Sequence, residues 1–209
     1  MNQDQEIRPT DLTILPDRSG SMGSIKKQTI EGVNNTVKDQ RLAKGGCFVS
    51  LIQFDSEDPC EVVYDGLPVD EITPLTNDTF CPRAATPLYD AINLAIARTE
   101  KRMVKALKLF VIVTDGYENA SRETTAEMVS NIISAKEEEG WRFLFVGANQ
   151  DAILEAGKLG IKPGRALTYG VSDKEVLAAY DATLHVLSEL VVDPGAHFSE
   201  EQRRAAKKE

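Results

Sequence analysis

An apolar run that ends in a carboxylate and a glycine is the feature that most constrains this fold. In "KLFVIVTDG", residues 108–116, every side chain from 109 to 113 is apolar, which is typical of a strand buried on both faces. Other strand-like runs alternate with helix-like segments, at residues 11–17, 47–55, 61–69, 141–148 and 165–170. This alternation predicts an α/β fold in which a mostly parallel sheet lies between helices.

The second and third strand-like runs lie close together in the sequence. "CFVSLIQFD", residues 47–55, is followed by "EVVYDGLPV", residues 61–69, with the turn-like "SEDP" between them. A connection this short is typical of antiparallel neighbours. We therefore expect one antiparallel strand pair in the otherwise parallel sheet.

Helical segments fill the spaces between these runs, and several have recognisable starts. The helix near residue 86 is predicted to have Thr86 as its N-cap and Pro87 as its first residue, the position that favours proline. Two further helices are expected at about residues 25–42 and 151–159. Capping-box patterns open two more, at Thr124 with Glu127 and at Ser172 with Glu175.

The length and composition of the chain indicate one globular domain. Its 209 residues are enough to bury a core, and 42% of them are hydrophobic while 27% are charged. No internal repeat or linker composition divides the sequence. We expect a flexible N-terminus at 1–9, the domain at 10–192 and a charged C-terminal tail at 193–209.

The charge balance argues against some classes of partner. The net charge is −9 at pH 7, and only the short "RRAAKK" near the end is basic. Such a surface repels nucleic acid and anionic membranes, and it favours cations or basic protein surfaces. No run approaches the roughly 18 apolar residues of a membrane span, so we expect no membrane partner.

Cysteine usage and the N-terminus indicate the compartment. The three cysteines lack CxxC spacing, which favours free thiols in a reducing environment. The first residues, "MNQDQEIRPT", are polar and lack the apolar core of a signal peptide. We therefore expect a cytoplasmic protein. His185 and His197 are far from any cysteine in the sequence, which speaks against a zinc site.

Two loops rich in oxygen atoms follow strands of the predicted sheet. "DRSGS", residues 17–21, comes after the first strand, and "TDG", residues 114–116, comes after the buried run. Because the carboxyl ends of parallel strands meet at one edge, both loops are expected to open into the same crevice. In an extended loop Asp17, Ser19 and Ser21 can face one side, since alternate residues point the same way.

The residue types at this edge are ligands for a hard cation. Asp115 comes from the neighbouring strand end and Thr86 from a helix start, which makes two carboxylates and three hydroxyls. Mg²⁺ prefers such oxygen ligands in near-octahedral geometry. A helix that begins near Ser24 points its positive end at the site. An open coordination position there would favour an anionic oxygen from outside, such as Asp or Glu of a partner.

Three motifs in this order, "DRSGSM", "TPLYDAI" and "TDGYENAS", resemble the von Willebrand factor A domain and its metal-ion-dependent adhesion site (MIDAS). The resemblance implies a doubly wound, Rossmann-like sheet with helices on both faces and one antiparallel edge strand. It implies a divalent cation, Mg²⁺ or Mn²⁺, that engages an acidic residue of a protein partner without catalysis. The metal positions that it implies are Asp17, Ser19, Ser21, Thr86 and Asp115.

Later parts of the chain refine the resemblance. "FLFVGANQDA" and "LGI" are similar to stand-alone prokaryotic and phage members, some of them related to tellurium-resistance A-domain proteins. The sequence also departs from the family pattern. Where relatives often have glycine just before the metal threonine, this chain reads "PRAAT", so Ala84 and Ala85 affect the shape of that loop.

Simpler interpretations of these residues are also open. "DRSGS" and "TDG" also suit ordinary turns. Asn119 and Ser121 could line the crevice, but a turn and a helix start also explain them. Arg83 could bind an acidic partner or simply be solvated, and the solvated side chain is the favoured interpretation. Each motif alone favours the simple interpretation, and their combination at one sheet edge favours the metal site.

Catalysis is the competing class of function. Ser21, Asp115 and His185 occur in the chain order of α/β-hydrolases, but Ser19 replaces the first glycine of the nucleophile elbow and His185 comes from a late helix. A metal-dependent hydrolase would need a general base, which the motifs do not supply. Binding is therefore favoured over both a serine hydrolase and a metal-dependent hydrolase.

Overall fold

A computed structural model describes residues 8–42, 45–102, 104–148 and 151–207 of the chain. Within them, six strands and six α-helices follow one another along the chain. The strands are β1 (Thr10–Pro16), β2 (Cys47–Gln53), β3 (Glu61–Pro68), β4 (Leu107–Thr114), β5 (Arg142–Ala148) and β6 (Ala166–Tyr169). The helices are α1 (Lys26–Gln40), α2 (Leu88–Glu100), α3 (Ala126–Glu138), α4 (Ala152–Lys158), α5 (Asp173–Leu190) and α6 (Glu200–Ala206).

The strands form one mixed sheet in the order β3-β2-β1-β4-β5-β6. Only β2 and β3 pair antiparallel, and every other neighbouring pair in the sheet is parallel. This confirms the predicted α/β fold with one antiparallel edge strand. The chain winds outward from β1 to β3 and then returns to β4, so the order reverses between β1 and β4. Such a reversal opens a crevice at the carboxyl ends of the two strands.

The central strand β4 is buried on both faces, as its apolar run predicts. Phe110 and Ile112 belong to one core cluster, with α2, α3 and α4. Leu109, Val111 and Val113 belong to the other, with α1 and α5. The alternation follows from the pleat, which sends successive side chains to opposite faces. The two buried layers fix the position of the loop that follows Thr114.

Of the two predicted capping boxes, one forms and the other does not. Ser172 and Glu175 form the predicted capping box at the start of α5. The capping box predicted at Thr124 is wrong, because Thr125 is the N-cap of α3 and accepts a hydrogen bond from the amide of Met128. Thr124 is held elsewhere, since its own amide donates to Asp90 at 2.8 Å.

The chain after α5 packs against the rest of the protein. Ala196, Phe198 and Ala206 are buried in the same core cluster as α1 and α5. The amide of Gly170 donates to the carbonyl of Ala206 at 2.9 Å, which joins α6 to the end of β6. Of the N-terminus predicted to be flexible, residues 1–7 lie outside the described residues. In the part of the chain that the structure describes, no helix combines the length and apolar character of a membrane span.

Candidate metal site

The predicted metal residues lie at the carboxyl ends of β1 and β4, where the strand order reverses. Asp17 follows β1 directly, and its amide donates to the carbonyl of Val113 in β4 at 2.7 Å. Asp115 follows β4 directly. The two carboxylates therefore begin neighbouring loops at one edge of the sheet. After Ser19, a 3-10 helix over Gly20–Ile25 leads into α1.

Hydrogen bonds connect four of the five predicted residues. Oδ1 of Asp17 accepts from the amide of Ser19 at 2.6 Å. The hydroxyl oxygens of Ser19 and Ser21 are 3.1 Å apart. Ser21 donates from Oγ to Oδ1 of Asp115 at 2.6 Å. The remaining oxygen of Asp17, Oδ2, accepts from the hydroxyl of Thr114 at 2.7 Å.

The fifth side chain, Thr86, reaches the same place from a third loop. A Cβ atom added to Gly116 would lie 3.2 Å from Oγ1 of Thr86, 3.8 Å from Oγ of Ser21 and 4.0 Å from Oδ2 of Asp17. Oxygen atoms from three loops therefore converge on one point, and the missing side chain of Gly116 leaves that point free. The structure brings all five predicted residues together.

Thr86 is not the N-cap that the sequence predicts. Helix α2 begins at Leu88 with Pro87 in the cap position. The amides of its first turn find partners in the loop after β4. Ser121 Oγ accepts from both Tyr89 and Asp90 at 3.1 Å, and Glu118 Oε2 accepts from Tyr89 at 3.0 Å. Because α2 is capped by this other loop, Thr86 is not needed for capping.

Asn119 holds the backbone of Thr86 in place. Its side-chain oxygen accepts from the amide of Thr86 at 2.9 Å, and its own amide donates to the carbonyl of Thr86 at 3.1 Å. Asn119 and Ser121 therefore do more than form an ordinary turn and helix start, because they hold the segment that carries Thr86. The signal that could have identified them is their place in "YENAS", directly after Asp115 and Gly116.

Asp17 differs from the other fully buried aspartates because no basic side chain in the described residues neutralises it. Asp11, Asp17 and Asp55 are each 0% exposed. Two of them are neutralised by two basic side chains each: Asp11 by Arg102 and Lys108, and Asp55 by Arg18 and Arg83. Across the described ranges, neither Asp17 nor Asp115 forms an ion pair. A buried carboxylate without a positive partner is costly, so this site favours a cation.

The pKa values of both carboxyl groups are raised, as expected for buried carboxylates without a basic partner. Burial raises the pKa of Asp17 from 3.8 to about 6, against the hydrogen bonds from Thr114 and Ser19, and the nearby Asp115 adds to the increase. Burial also raises the pKa of Asp115, against the hydrogen bond from Ser21. A bound divalent cation would favour the ionised form of both groups and would lower their pKa values.

One side of the site is buried and the other side faces solvent. Asp17, Ser19 and Thr86 are buried, whereas Ser21 is exposed. A cation held among these oxygens would therefore keep one side toward solvent. Two carboxylates and three hydroxyls suit Mg²⁺ or Mn²⁺, which prefer hard oxygen ligands.

The serine-hydrolase arrangement does not form. Ser21 and Asp115 meet, but His185 lies in α5, where its Nε2 pairs with Glu189 at 3.2 Å and its side chain is 64% exposed. His185 is 12 residues beyond the start of α5, which is roughly 18 Å along the helix. The hydroxyl of Ser21 donates to the carboxylate of Asp115 and not to a histidine.

The loop before Thr86 keeps an unusual backbone without glycine. Ala84 has a φ of 58°, the left-handed conformation that favours glycine. Its carbonyl accepts from the amide of Gly20 at 3.1 Å, which ties the loop to the one that carries Ser19 and Ser21. The interpretation of Arg83 as merely solvated is wrong, because it pairs with the buried Asp55 at 3.0 Å.

Comparison with known proteins gives a family match for most of the chain. Residues 11–182 match the family model of the von Willebrand factor type A domain. No curated protein sequence matches the chain.

Several solved structures share the fold. The proximal thread matrix protein 1 of the mussel byssus, with a zinc-occupied MIDAS motif, has a TM-score of 0.65 and 14% identity over 87% of this chain and 46% of its own. A von Willebrand factor type A protein from Catenulispora acidiphila has a TM-score of 0.60 and 16% identity over 86% of this chain and 42% of its own. The pilus adhesin SpaC of Lactobacillus rhamnosus GG, in its open conformation, has a TM-score of 0.66 and 14% identity over 91% of this chain and 31% of its own. The chain spans less than half of each of these proteins.

Proposed function

Because the chain belongs to the von Willebrand factor type A domain family, we propose that it binds a divalent cation and uses it to dock a protein partner. The observation that carries the proposal is the contrast among the buried aspartates. Asp11 and Asp55 have two basic partners each, whereas Asp17 has none in the described residues and lies beside Asp115. The proposed ligands are Asp17, Ser19, Ser21, Thr86 and Asp115.

The proposed cation is Mg²⁺ or Mn²⁺. The three hydroxyl ligands are neutral, and the two carboxylates only balance a divalent charge, so the bound cation would still attract an anionic oxygen. Asp17 and Asp115 bind it directly or through water. The exposed side of the site, at Ser21, is where a carboxylate of Asp or Glu from the partner would approach.

The relatives support this kind of role. The mussel protein holds zinc in its MIDAS motif, and SpaC is a pilus adhesin. For this chain we propose the same type of metal-dependent contact without a catalytic step. The donor set of hard oxygens favours Mg²⁺ or Mn²⁺ over zinc, which more often uses nitrogen and sulfur ligands.

The setting of the protein is also part of the proposal. We propose that it acts in the cytoplasm, on the basis of its cysteine usage. Similarity to the stand-alone prokaryotic and tellurium-resistance members stays a prediction. In the "FLFVGANQDA" motif on which that prediction rests, Asn149 and Gln150 lie outside the described residues.

Calorimetric titration tests the metal step. Mg²⁺, Mn²⁺ and Zn²⁺ are titrated into the metal-free protein, beside Asp17→Asn and the control Asp70→Asn, which removes the same charge at an exposed position. We expect Asp17→Asn to abolish Mg²⁺ and Mn²⁺ binding and Asp70→Asn to keep it. Equal binding by Asp17→Asn, or no binding by the wild type at millimolar metal, would contradict the proposal.

A second titration tests the docking step. A library of acidic peptides is added to the protein with and without saturating Mn²⁺, and the same peptides with Asn and Gln in place of Asp and Glu serve as the control. We expect some acidic peptides to bind only with Mn²⁺, and each of them to raise the affinity for Mn²⁺ by the same factor in return. Acidic and neutral peptides that bind alike would argue against a carboxylate contact.

A further inference from the structure

We propose that Asp55, which is not among the metal ligands, is the positioning residue that fixes the loops of the metal site in their binding arrangement. The inference rests on the proposed metal binding. Asp55 lies two residues after β2 and is 0% exposed. Its Oδ2 accepts from Nε of Arg18 at 2.8 Å and from Nε of Arg83 at 3.0 Å. One oxygen atom therefore joins the loop of Asp17 and Ser19 to the loop of Thr86.

The two arginines lie in the same loops as the proposed metal ligands, close to them in the sequence. Arg18 stands between Asp17 and Ser19, and Arg83 is three residues before Thr86. Movement of either guanidinium group therefore moves the backbone that carries a ligand.

The carboxylate of Asp55 is itself held rigidly. Its Oδ1 accepts from the amides of Glu57 and Asp58 at 2.8 and 3.0 Å, so both oxygens are used. Burial alone would raise the pKa of Asp55, but the hydrogen bonds from these amides, from Arg83 and from Arg18 lower it below its ordinary value. Asp55 is therefore a charged group in a fixed place, to which the two arginines attach.

Backbone hydrogen bonds connect the same three loops. The loop of Ser19 and the loop of Thr86 are joined twice, and each is joined to the loop that follows β2. The bonds are Arg83 N to Arg18 O at 2.8 Å, Gly20 N to Ala84 O at 3.1 Å, Arg18 N to Phe54 O at 2.7 Å and Ser56 N to Ala85 O at 3.0 Å. Asp55 is at the centre of this arrangement, since its side chain joins both of the other loops.

The charge of Asp55 is needed because Arg18 is buried. The side chain of Arg18 is 4% exposed, and its other partner is Glu61, at 2.5 Å from Nη1. Without the charge of Asp55, Arg18 would keep only one carboxylate partner, Glu61. Its side chain would then shift toward other anions or toward solvent. Because Mg²⁺ and Mn²⁺ require close to octahedral geometry, a small shift of Ser19 or Thr86 lowers the affinity for metal.

The chain contains a matched control for this argument. Asp11 is also 0% exposed, and Arg102 and Lys108 neutralise it at 2.8 and 2.6 Å. It lies near the amino end of β1, six residues before Asp17, which is about 20 Å along the strand. Asp11→Asn therefore removes the same charge from a similar environment, at a distance from the metal residues.

The experiment compares Asp55→Asn, Arg83→Gln, Arg83→Lys and Asp11→Asn with the wild type. Calorimetry gives the affinity for Mn²⁺, and amide hydrogen exchange of the protein in a chelator gives the protection of residues 18–21 and 83–86. We expect Asp55→Asn to weaken Mn²⁺ binding about 10- to 100-fold, the usual range for partners of metal ligands. We also expect it to speed exchange in both loops.

The other variants separate positioning from stability. Asp11→Asn is expected to lower the melting temperature but to keep the Mn²⁺ affinity within about twofold and the loop exchange unchanged. Arg83→Gln should weaken Mn²⁺ binding about tenfold, and Arg83→Lys should restore part of that loss. Arg83 is 43% exposed, so its variants should fold even where Asp55→Asn does not.

The outcomes distinguish this inference from the proposed function. If the wild type does not bind Mn²⁺, the proposed function fails. If the wild type binds but Asp55→Asn and Arg83→Gln bind within twofold of it, the positioning role is overturned. The same holds if Asp11→Asn loses as much affinity as Asp55→Asn, because the effect would then be general loss of stability.

Discussion

The hydroxyl of Ser21 donates a hydrogen bond of 2.6 Å to Oδ1 of Asp115, and this bond joins the loop after β1 to the loop after β4. Asp17 is fully buried near this bond. The two carboxylate oxygens of Asp17 accept hydrogen bonds from the amide of Ser19 and the hydroxyl of Thr114. These neutral donors satisfy the hydrogen bonds of Asp17 but do not balance its charge. Several measurable properties follow from this unbalanced charge.

Asp17→Asn is expected to stabilise the metal-free protein at pH 7. The pKa of Asp17 is about 6 in the folded state and ordinarily 3.8, so the folded state binds this proton more tightly than the unfolded state does. Ionisation of Asp17 therefore destabilises the fold, and the stability falls as pH rises from about 4 to 6. Each pKa unit corresponds to about 1.4 kcal/mol, so we expect the variant to gain about 1–3 kcal/mol.

Urea unfolding in a chelator measures this gain. The difference between Asp17→Asn and the wild type should be largest at pH 7 and much smaller at pH 4, where Asp17 is protonated in the folded state and about half protonated in the unfolded state. A wild type that is more stable than the variant at pH 7 without metal would show that the charge of Asp17 is balanced in some other way.

The affinity for Mn²⁺ is expected to fall with pH below about 6. The cation binds the ionised form of Asp17, so protons compete with it once the pH drops below the pKa of that group in the metal-free protein. We expect a loss of up to about tenfold per pH unit below pH 6 and a nearly constant affinity above pH 7. Calorimetry between pH 5 and 8 measures the profile, and a flat profile across this range would contradict the assignment of Asp17 as a ligand.

Gly116→Ala is expected to weaken metal binding without unfolding the protein. The new methyl group would lie 3.2 Å from Oγ1 of Thr86 and within 4.0 Å of Ser21 and Asp17 oxygens, in the space where these ligands converge. Gly116 does not have a positive φ, so its backbone tolerates alanine. We expect about a tenfold loss of Mn²⁺ affinity, of the size that small changes around metal ligands cause.

Gly23→Ala is the matched control for this change. A Cβ atom at Gly23 meets nothing within 4 Å, although Gly23 lies two residues after Ser21. Calorimetry should therefore give wild-type affinity for Gly23→Ala, and thermal unfolding should show both variants folded. Comparable affinities for the two glycine variants would mean that the space beside Gly116 is not used by the cation.

Local signals in the sequence predicted much of the fold and the five candidate ligands. The apolar run that forms β4 and the capping box at Ser172 need only neighbouring residues, so the sequence contains them in full. The motifs at Asp17 and Asp115 each follow a recognisable strand, and parallel strands end at one edge. Those inferences required no knowledge of contacts between distant segments.

The features that the sequence missed depend on such distant contacts. The sequence wrongly predicts Thr86 as an N-cap, because the true partners of the first turn of α2, Glu118 and Ser121, lie about 30 residues further along the chain. Asp55 was not identified because Arg18 and Arg83 are 37 and 28 positions away from it. No local pattern marks an aspartate that is neutralised by residues so far along the chain.

Ser121→Ala tests whether the Ser121 hydroxyl caps α2, which would leave the side chain of Thr86 available for the metal site. Ser121 Oγ accepts from the amides of Tyr89 and Asp90 and donates to Glu118, so its loss leaves amides of the first turn of α2 with fewer partners. We expect a loss of about 1–2 kcal/mol in the free energy of unfolding, as for an N-cap residue replaced by alanine. Mn²⁺ affinity should fall as well, because the loop that holds Thr86 loses an attachment.

Ser188→Ala is the control for that variant. Its hydroxyl donates to the carbonyl of Leu184 within α5, a bond that stabilises helices little, and alanine is the better helix former there. Urea unfolding should therefore show Ser188→Ala equal to or more stable than the wild type, with unchanged Mn²⁺ affinity. Ser121→Ala that unfolds at the same urea concentration as Ser188→Ala would show that α2 does not depend on the loop after β4 for its capping. In that case Asn119 alone would hold Thr86 at the metal site.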